Sequence, residues 1–291
     1  MPYSITLKIK KDLLFIMNHR NIQVNKFTYI IIAITVLMAF TLSSVSAAGL
    51  LKVYYVRHGE AGHNVVNDWK DKPKAEWPLY VGNSNIFTPK GESQVAALTE
   101  KLKGMNFDFI ATSPSWRARN TVLPYLKSVN LRAEIWPELG ETVIVSKEKI
   151  DAGKLPPPGI SLFKGGDRFN IPQPEAPFFI IRPEADKQLY IRFAEIVFSK
   201  KISVEQRGQA DADAIALAQA VIKMVKSRFA GFDKTILLVG HGEAGITLLR
   251  VLTEVDKLKN INNTGMWMAE EQSDGSFIVK IYNDKPCNPN Q

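Results

Sequence analysis

Two short apolar runs in this chain, at 51–56 and 235–239, each lead into the same pentapeptide, His-Gly-Glu-Ala-Gly, at 58–62 and 241–245. An apolar run of this length stopped by a glycine-rich turn reads as a buried strand. In an open α/β sheet, the turn after such a strand is where the protein meets its ligands. The repeat therefore predicts two histidines at one sheet edge, sharing one site, on a strand-to-helix turn built twice. Only four histidines occur. His19 lies in a segment expected to be removed, so His58, His63 and His241 are those the working domain keeps.

The intervening pattern alternates. Thr88 reads as an N-cap with Pro89 at the first helical position, and Val95, Leu98 and Leu102 recur at helical spacing until Gly104. Strands are expected at 107–111 and 131–136, with a helix over 114–129 despite Pro124. Ile215, Ala218, Ile222, Val225 and Phe229 mark a helix over 211–229, and another is expected from Ala244 to about Leu258. A hairpin of 266–270 and 277–282 turns through Asp274-Gly275. Residues 65–87 show no period and read as a long loop over the site. Residues 142–204, rich in proline and glycine, read as an excursion from the core that acts as a lid or cap and carries short elements such as 178–182. The fold class is α/β, a three-layer arrangement of a mostly parallel sheet flanked by helices.

The composition is that of a globular protein, 45% hydrophobic and 23% charged, with a formal net charge of +8. The first 48 residues hold five Lys/Arg and one acid, so the remainder has 32 basic against 28 acidic residues, a net +4. That modest excess suits a small anionic substrate, and the absence of basic runs argues against nucleic acid. Residues 27–42 are apolar apart from threonines, follow Lys26 and lead into Ser43-Ser44-Val45-Ser46-Ala47-Ala48. Such an order of basic flank, apolar centre and small residues predicts an export signal over 1–48, cleaved after Ala47 or Ala48. Left uncleaved, it would be an anchor and the chain's only membrane contact. Met17 is an alternative start. The working domain is expected over 49–291, in a periplasmic or secreted protein, and the lone Cys287 has no internal partner.

Gly240 to Gly245 matches G-x-G-x-x-G in form only. The first copy has Arg57 where that motif needs glycine, and no acid closes a second strand about 20 residues on. No G-x-x-x-x-G-K-[ST] or G-x-S-x-G occurs. His58, His63 and His241 with Glu60 or Glu243 have the chemistry of zinc ligands, but there is no H-E-x-x-H, and Arg57 places positive charge where a cation would sit. No metal and no cofactor are expected. What remains is arginine, histidine and helix-start amides at strand ends. Arginine's planar fork holds phosphate oxygens, and a neutral imidazole beside it can attack phosphorus.

These elements resemble a family. Val53 to Glu60, Asn64, Thr88 to Gln94, Ser113-Pro114 with Arg117-Ala118, Leu139-Gly140-Glu141, and Leu238 to Gly242 look, in order and spacing, like the phosphoglycerate mutase-like branch of the histidine phosphatase superfamily. The resemblance implies that His58 is the nucleophile and passes through a phosphohistidine. It further implies that Arg57, Arg117 and His241 bind the phosphoryl group and that Asn64 assists. Glu141 would protonate the leaving oxygen, with Glu138 as the alternative. Asn120 stands where the family often has glutamine, and Trp116 is bulkier than usual. The Arg-His-Gly-x-Arg-x-Pro and His-Asp pattern of the other branch is missing.

Other residues have plainer readings. His63 either contacts substrate or is an ordinary loop histidine, and Glu60 and Glu243 suit helix starts. Trp69 and Trp77 read as packing residues, and Lys164 and Arg168 as solvated charges. The expected activity is metal-independent hydrolysis of small phosphomonoesters. A phosphoglycerate mutase-type phosphotransferase, a silent phosphate-ligand binder and a metal hydrolase are the rivals, and the sequence leaves the oligomeric state open.

Overall fold

The computed structural model describes residues 50–158, 161–162, 171–181, 189–190, 203–256 and 258–287. The expected export segment with His19, and also Lys164 and Arg168, lie outside these residues. Among the described residues, no helix is long and apolar enough to cross a membrane.

The principal strands are β1 (Lys52–Arg57), β2 (Phe109–Thr112), β3 (Ala133–Ile135), β4 (Phe179–Ile181), β5 (Thr235–Gly240), β6 (Met266–Glu271), β7 (Phe277–Tyr282) and β8 (Lys285–Pro286). They form one sheet in the order β8-β7-β6-β1-β5-β2-β3-β4. The five strands from β1 to β4 in that order run parallel, and β6, β7 and β8 extend the sheet antiparallel. The helices are α1 (Pro89–Lys103), α2 (Trp116–Val129), α3 (Lys147–Ala152), α4 (Val204–Phe229) and α5 (Gly242–Leu252), besides short helical turns. The sheet with two separate apolar clusters, one containing residues of α4 and α5 and the other residues of α1 and α2, is the expected three-layer arrangement. Parallel strands buried on both faces need continuous apolar runs, and Ile236 to Val239 supply one.

Local chemistry explains most boundaries. Thr88 caps α1 by accepting from the Gly91 N–H at 2.9 Å, with Pro89 at the first position, as its sequence predicts. Helix α2 passes through Pro124 and stops at Asn130 in the left-handed region. Helix α5 ends at Leu252, six residues earlier than its pattern suggests. Thr253 turns extended there, and its N–H and hydroxyl both bond the Leu249 carbonyl.

Two expectations need correction. Within 142–204, two described stretches pack on the core rather than standing off it. Val143 and Val145 are buried against Ala210, Ala214 and Leu217 of α4, and Phe179 is buried in β4 at the sheet edge. Buried Glu175 accepts from Arg119 at 3.3 and 3.2 Å and from Asn120 at 3.3 Å, tying this segment to α2. Nor is the repeated pentapeptide one turn made twice. His241 is the N-cap of α5, so the second copy enters an α-helix directly. In the first copy Ala61 is extended and bridges to Phe87, and a 3-10 turn begins only at Gly62.

Gly62 shows why that loop folds as it does. A Cβ there would lie 1.4 Å from the Tyr80 carbonyl oxygen, because the 65–87 loop packs directly on this backbone. Gly62→Ala is expected to cost about 3 kcal/mol, lowering the thermal midpoint by roughly 6–12 °C. The control is Gly208→Ala in α4, where the nearest atom would be 3.9 Å away; a midpoint unchanged or raised is expected there.

Candidate active site

The parallel pairing of β1 with β5 sets Arg57 opposite Gly240, so the next residues, His58 and His241, emerge side by side. Their rings lie 5.2 Å apart, and both are buried. The main chain beyond β1 is held by the 260–265 loop. The Asn263 side chain donates to the His58 carbonyl at 3.1 Å, and the Thr264 N–H to the Arg57 carbonyl at 3.1 Å. From α2, the Thr121 hydroxyl accepts from the Gly59 N–H at 2.9 Å. The site is therefore braced from three directions.

Side chains complete it. His58 Nδ1 is 2.7 Å from the Gly59 carbonyl oxygen, which has only lone pairs to offer; Nδ1 carries the proton and Nε2 is left as the lone pair. Arg117 Nε donates to that Nε2 at 3.2 Å. Arg117 Nη2 reaches Glu141 Oε2 at 3.4 Å and lies 3.1 Å from His241 Nδ1. Glu141 Oε2 is 3.2 Å from the same Nδ1. Arg57 Nη1 donates to the Ile261 carbonyl at 2.6 Å, and its Nε is buried without a hydrogen-bond partner among the described residues. Its guanidinium passes so close to Gly242 that a Cβ there would sit 3.1 Å from Nε.

A cavity of about 210 Å³ opens over this cluster, lined among others by Arg57, His58, His63, Asn64, Glu141 and Glu243. Asn64 Oδ1 accepts from the Ala61 N–H at 3.0 Å, and the His63 ring stands 5.5 Å from that of His58. Glu138 is buried and lines a different, much smaller cavity with Tyr55 and Thr142. Glu60 is also elsewhere, bonded to Thr88 and Lys90 at the start of α1. Glu243 opens α5 as expected and lines the cavity as well. Trp69 and Trp77 do not line it. Trp116 packs on Phe87, with ring centres 4.9 Å apart.

The electrostatics follow from burial and two arginines. Burial, then the neighbouring His241 and Arg117, push His58 well below the usual histidine range, so it is neutral at pH 7. His63 falls to about 4, mainly through burial and Arg117. His241 is lowered by burial, against the pull of Glu141. Burial would raise Glu141, yet His241, Arg117 and Arg57 outweigh it and hold the carboxyl at about 2. The free site thus presents a neutral imidazole lone pair beside two guanidinium groups and one carboxylate.

His58, Glu141 and His241 also offer atoms within 4.8 Å of one another, the compactness of a metal site. The Arg117 guanidinium contacts all three, and its fixed positive charge makes the space suited to an anion instead.

Residues 53–151 match the histidine phosphatase superfamily (branch 1), a span that includes His58, Arg117 and Glu141. That stretch of the chain is similar to the superfamily. The match supports a phosphohydrolase. No curated protein matches the chain. Among solved structures, a mycobacterial glucosyl-3-phosphoglycerate phosphatase is similar at 17% identity and a TM-score of 0.47, over 80% of this chain and 99% of its own. A phosphoserine phosphatase mutant of Entamoeba histolytica, solved with phosphoserine, is similar at 19% identity and 0.44, over 80% and 96%. A Bacillus stearothermophilus protein is similar at 20% identity and 0.48, over 81% and 98%.

All seven site residues expected from the sequence, Arg57, His58, His63, Asn64, Arg117, Glu141 and His241, come together around one cavity or its guanidinium clamp. Sequence reasoning gave the supports no role. Ser113 Oγ lies 2.9 Å from His241 Nε2. The Tyr55 hydroxyl donates to the His241 carbonyl at 2.8 Å and accepts from its N–H at 2.7 Å. Asn260 and Ile261 line the cavity. The one available signal for the last group was the run Asn260-Ile261-Asn262-Asn263-Thr264-Gly265, dense in turn-forming residues just before a strand.

Proposed function

We propose that the protein is an exported, metal-independent phosphomonoesterase that works through a phosphohistidine on His58. The observation that carries this reading is the Arg117 guanidinium, which touches His58 Nε2, His241 Nδ1 and Glu141 Oε2 at once. A phosphoryl group drawn to that guanidinium has the nucleophile on one side and the acid on the other. His58 Nε2 attacks phosphorus, the bond to the ester oxygen breaks, and that oxygen takes a proton from Glu141. Water then attacks the phosphorus on Nε2, gives a proton to the Glu141 carboxylate and releases phosphate, restoring His58. Arg57, Arg117 and His241 hold the charge that spreads over the phosphoryl oxygens, and Asn64 and His63 shape the pocket.

Glu141 is ionised in the free site, so its proton must arrive with the substrate. A phosphomonoester takes up its last proton near pH 6, and the monoanion can carry it in. An aryl phosphate should accordingly be hydrolysed in excess chelator. Loss of activity that zinc restores would establish a metal hydrolase; binding of a panel of esters with no turnover would leave a silent binder, and phosphoryl transfer between phosphoglycerates a mutase. In the same panel, Glu141→Gln should slow esters of poor leaving groups by about 100-fold more than aryl esters. Equal slowing would remove Glu141 from the acid role.

Export is supported by the basic flank, apolar centre and small residues of 1–48. It favours hydrolysis over a mutase, which would need a phosphorylated donor outside the cytoplasm. N-terminal sequencing of the mature protein should begin after Ala47 or Ala48, and an intact N-terminus on protein recovered from the cytoplasm would remove export from the reading.

A further inference from the structure

We infer that Ser113 is a positioning residue that fixes which nitrogen of His241 carries the proton, and so makes His241 an N–H donor toward the reacting group. The inference deepens the phosphatase reading and rests on it for its kinetic consequences. Ser113 and His241 are both fully buried, so every polar atom of the pair needs a partner from the protein. Ser113 Oγ already accepts from the Ser115 N–H at 3.3 Å. Among the described residues, the one acceptor within reach of its hydroxyl proton is His241 Nε2, at 2.9 Å. The hydroxyl therefore donates to Nε2, and the ring proton of neutral His241 resides on Nδ1. Glu141 Oε2, 3.2 Å from Nδ1, is the matching acceptor on the other side of the ring.

His58 is held in the same tautomer by other means, since its Nδ1 proton is taken by the Gly59 carbonyl. There the proton points away into the backbone and the lone pair faces Arg117. At His241 the arrangement is reversed with respect to the site. Its lone pair is turned into the protein and capped by Ser113, and its N–H points to Glu141 Oε2, which also accepts from Arg117 Nη2. The tautomer that makes His58 a nucleophile thus makes His241 a donor. When a phosphoryl oxygen enters, the Nδ1 proton can turn to it, and no covalent change at His241 is required. The charged or titratable groups around this ring are Glu141, Arg117, Arg57 and His58, with the Tyr55 hydroxyl on its backbone.

The pair Ser113→Thr and Ser113→Val tests this in the full chain, because the two replacements have nearly the same shape and differ by the hydroxyl. Ring nitrogen–proton correlation spectra at pH 7 should show wild-type His241 protonated at Nδ1. Threonine should keep that signature, and valine should lose it, with protonation moving to Nε2 or spreading over both nitrogens. Turnover of an aryl phosphate should fall about 10-fold or more in the valine variant and be largely retained with threonine. An Nε2-protonated or doubly protonated His241 in the wild type would overturn the inference, and so would a valine variant with wild-type turnover. If neither variant folds, the wild-type spectrum alone decides. Should the wild type turn over no ester at all, the phosphatase reading fails, while the tautomer is still read from the spectrum.

Discussion

His58→Ala should leave a folded protein whose phosphatase turnover is reduced about 10,000-fold or more. No nearby group can replace the nucleophile. The His241 ring is 5.2 Å away, with its nitrogens engaged by Ser113 on one side and by Glu141 and Arg117 on the other. The His63 ring is 5.5 Å off on a 3-10 turn. The fold should tolerate the change, because the strand end is held through its main-chain carbonyls by the Thr264 N–H and the Asn263 side chain rather than by the imidazole. Wild-type protein quenched during turnover should carry an acid-labile phosphoryl label that the variant lacks. Full activity in His58→Ala, or a label that persists there, would assign the nucleophile elsewhere.

Arg117→Ala should lower kcat/KM by about 1,000-fold, because one guanidinium serves three partners. Its loss removes the clamp from the transferring group and the positive charge that helps keep His58 neutral. The histidine pKa should therefore rise, and the acid limb of the rate profile should move to higher pH. Arg117→Lys should recover little, since an ammonium on a flexible stem cannot reach both imidazoles and the carboxylate in one plane. A lysine variant within a few-fold of wild type would mean that charge alone, without the fork, is enough.

The central strands were readable because burial on both faces demands uninterrupted apolar residues, as in Leu237-Leu238-Val239. The cap of α1 was equally readable, because Thr88 and Pro89 act on their own helix. The repeated pentapeptide misled because each copy takes its conformation from a remote partner. Phe87 pairs with Ala61 in the first, whereas in the second His241 is gripped by the Tyr55 hydroxyl. In the same way, Val143 and Val145 were hidden in a proline-rich context, although their alternation fits a strand-like segment packed on α4. Site residues chosen for their chemistry were found. Those acting through backbone atoms, such as the Ile261 carbonyl that anchors Arg57, could not be, since any residue supplies a carbonyl.

The clip between Tyr55 and His241 joins positions 186 residues apart in the chain. Neither histidine can be in place until the N-terminal strand of the domain has found one synthesised long after it, so closure of this loop precedes any activity. Recovery of turnover during refolding is therefore a clock for a long-range event that helical signal does not report. Helical signal should return well ahead of it, and a nascent chain released before residue 241 should hold the nucleophile and be inert.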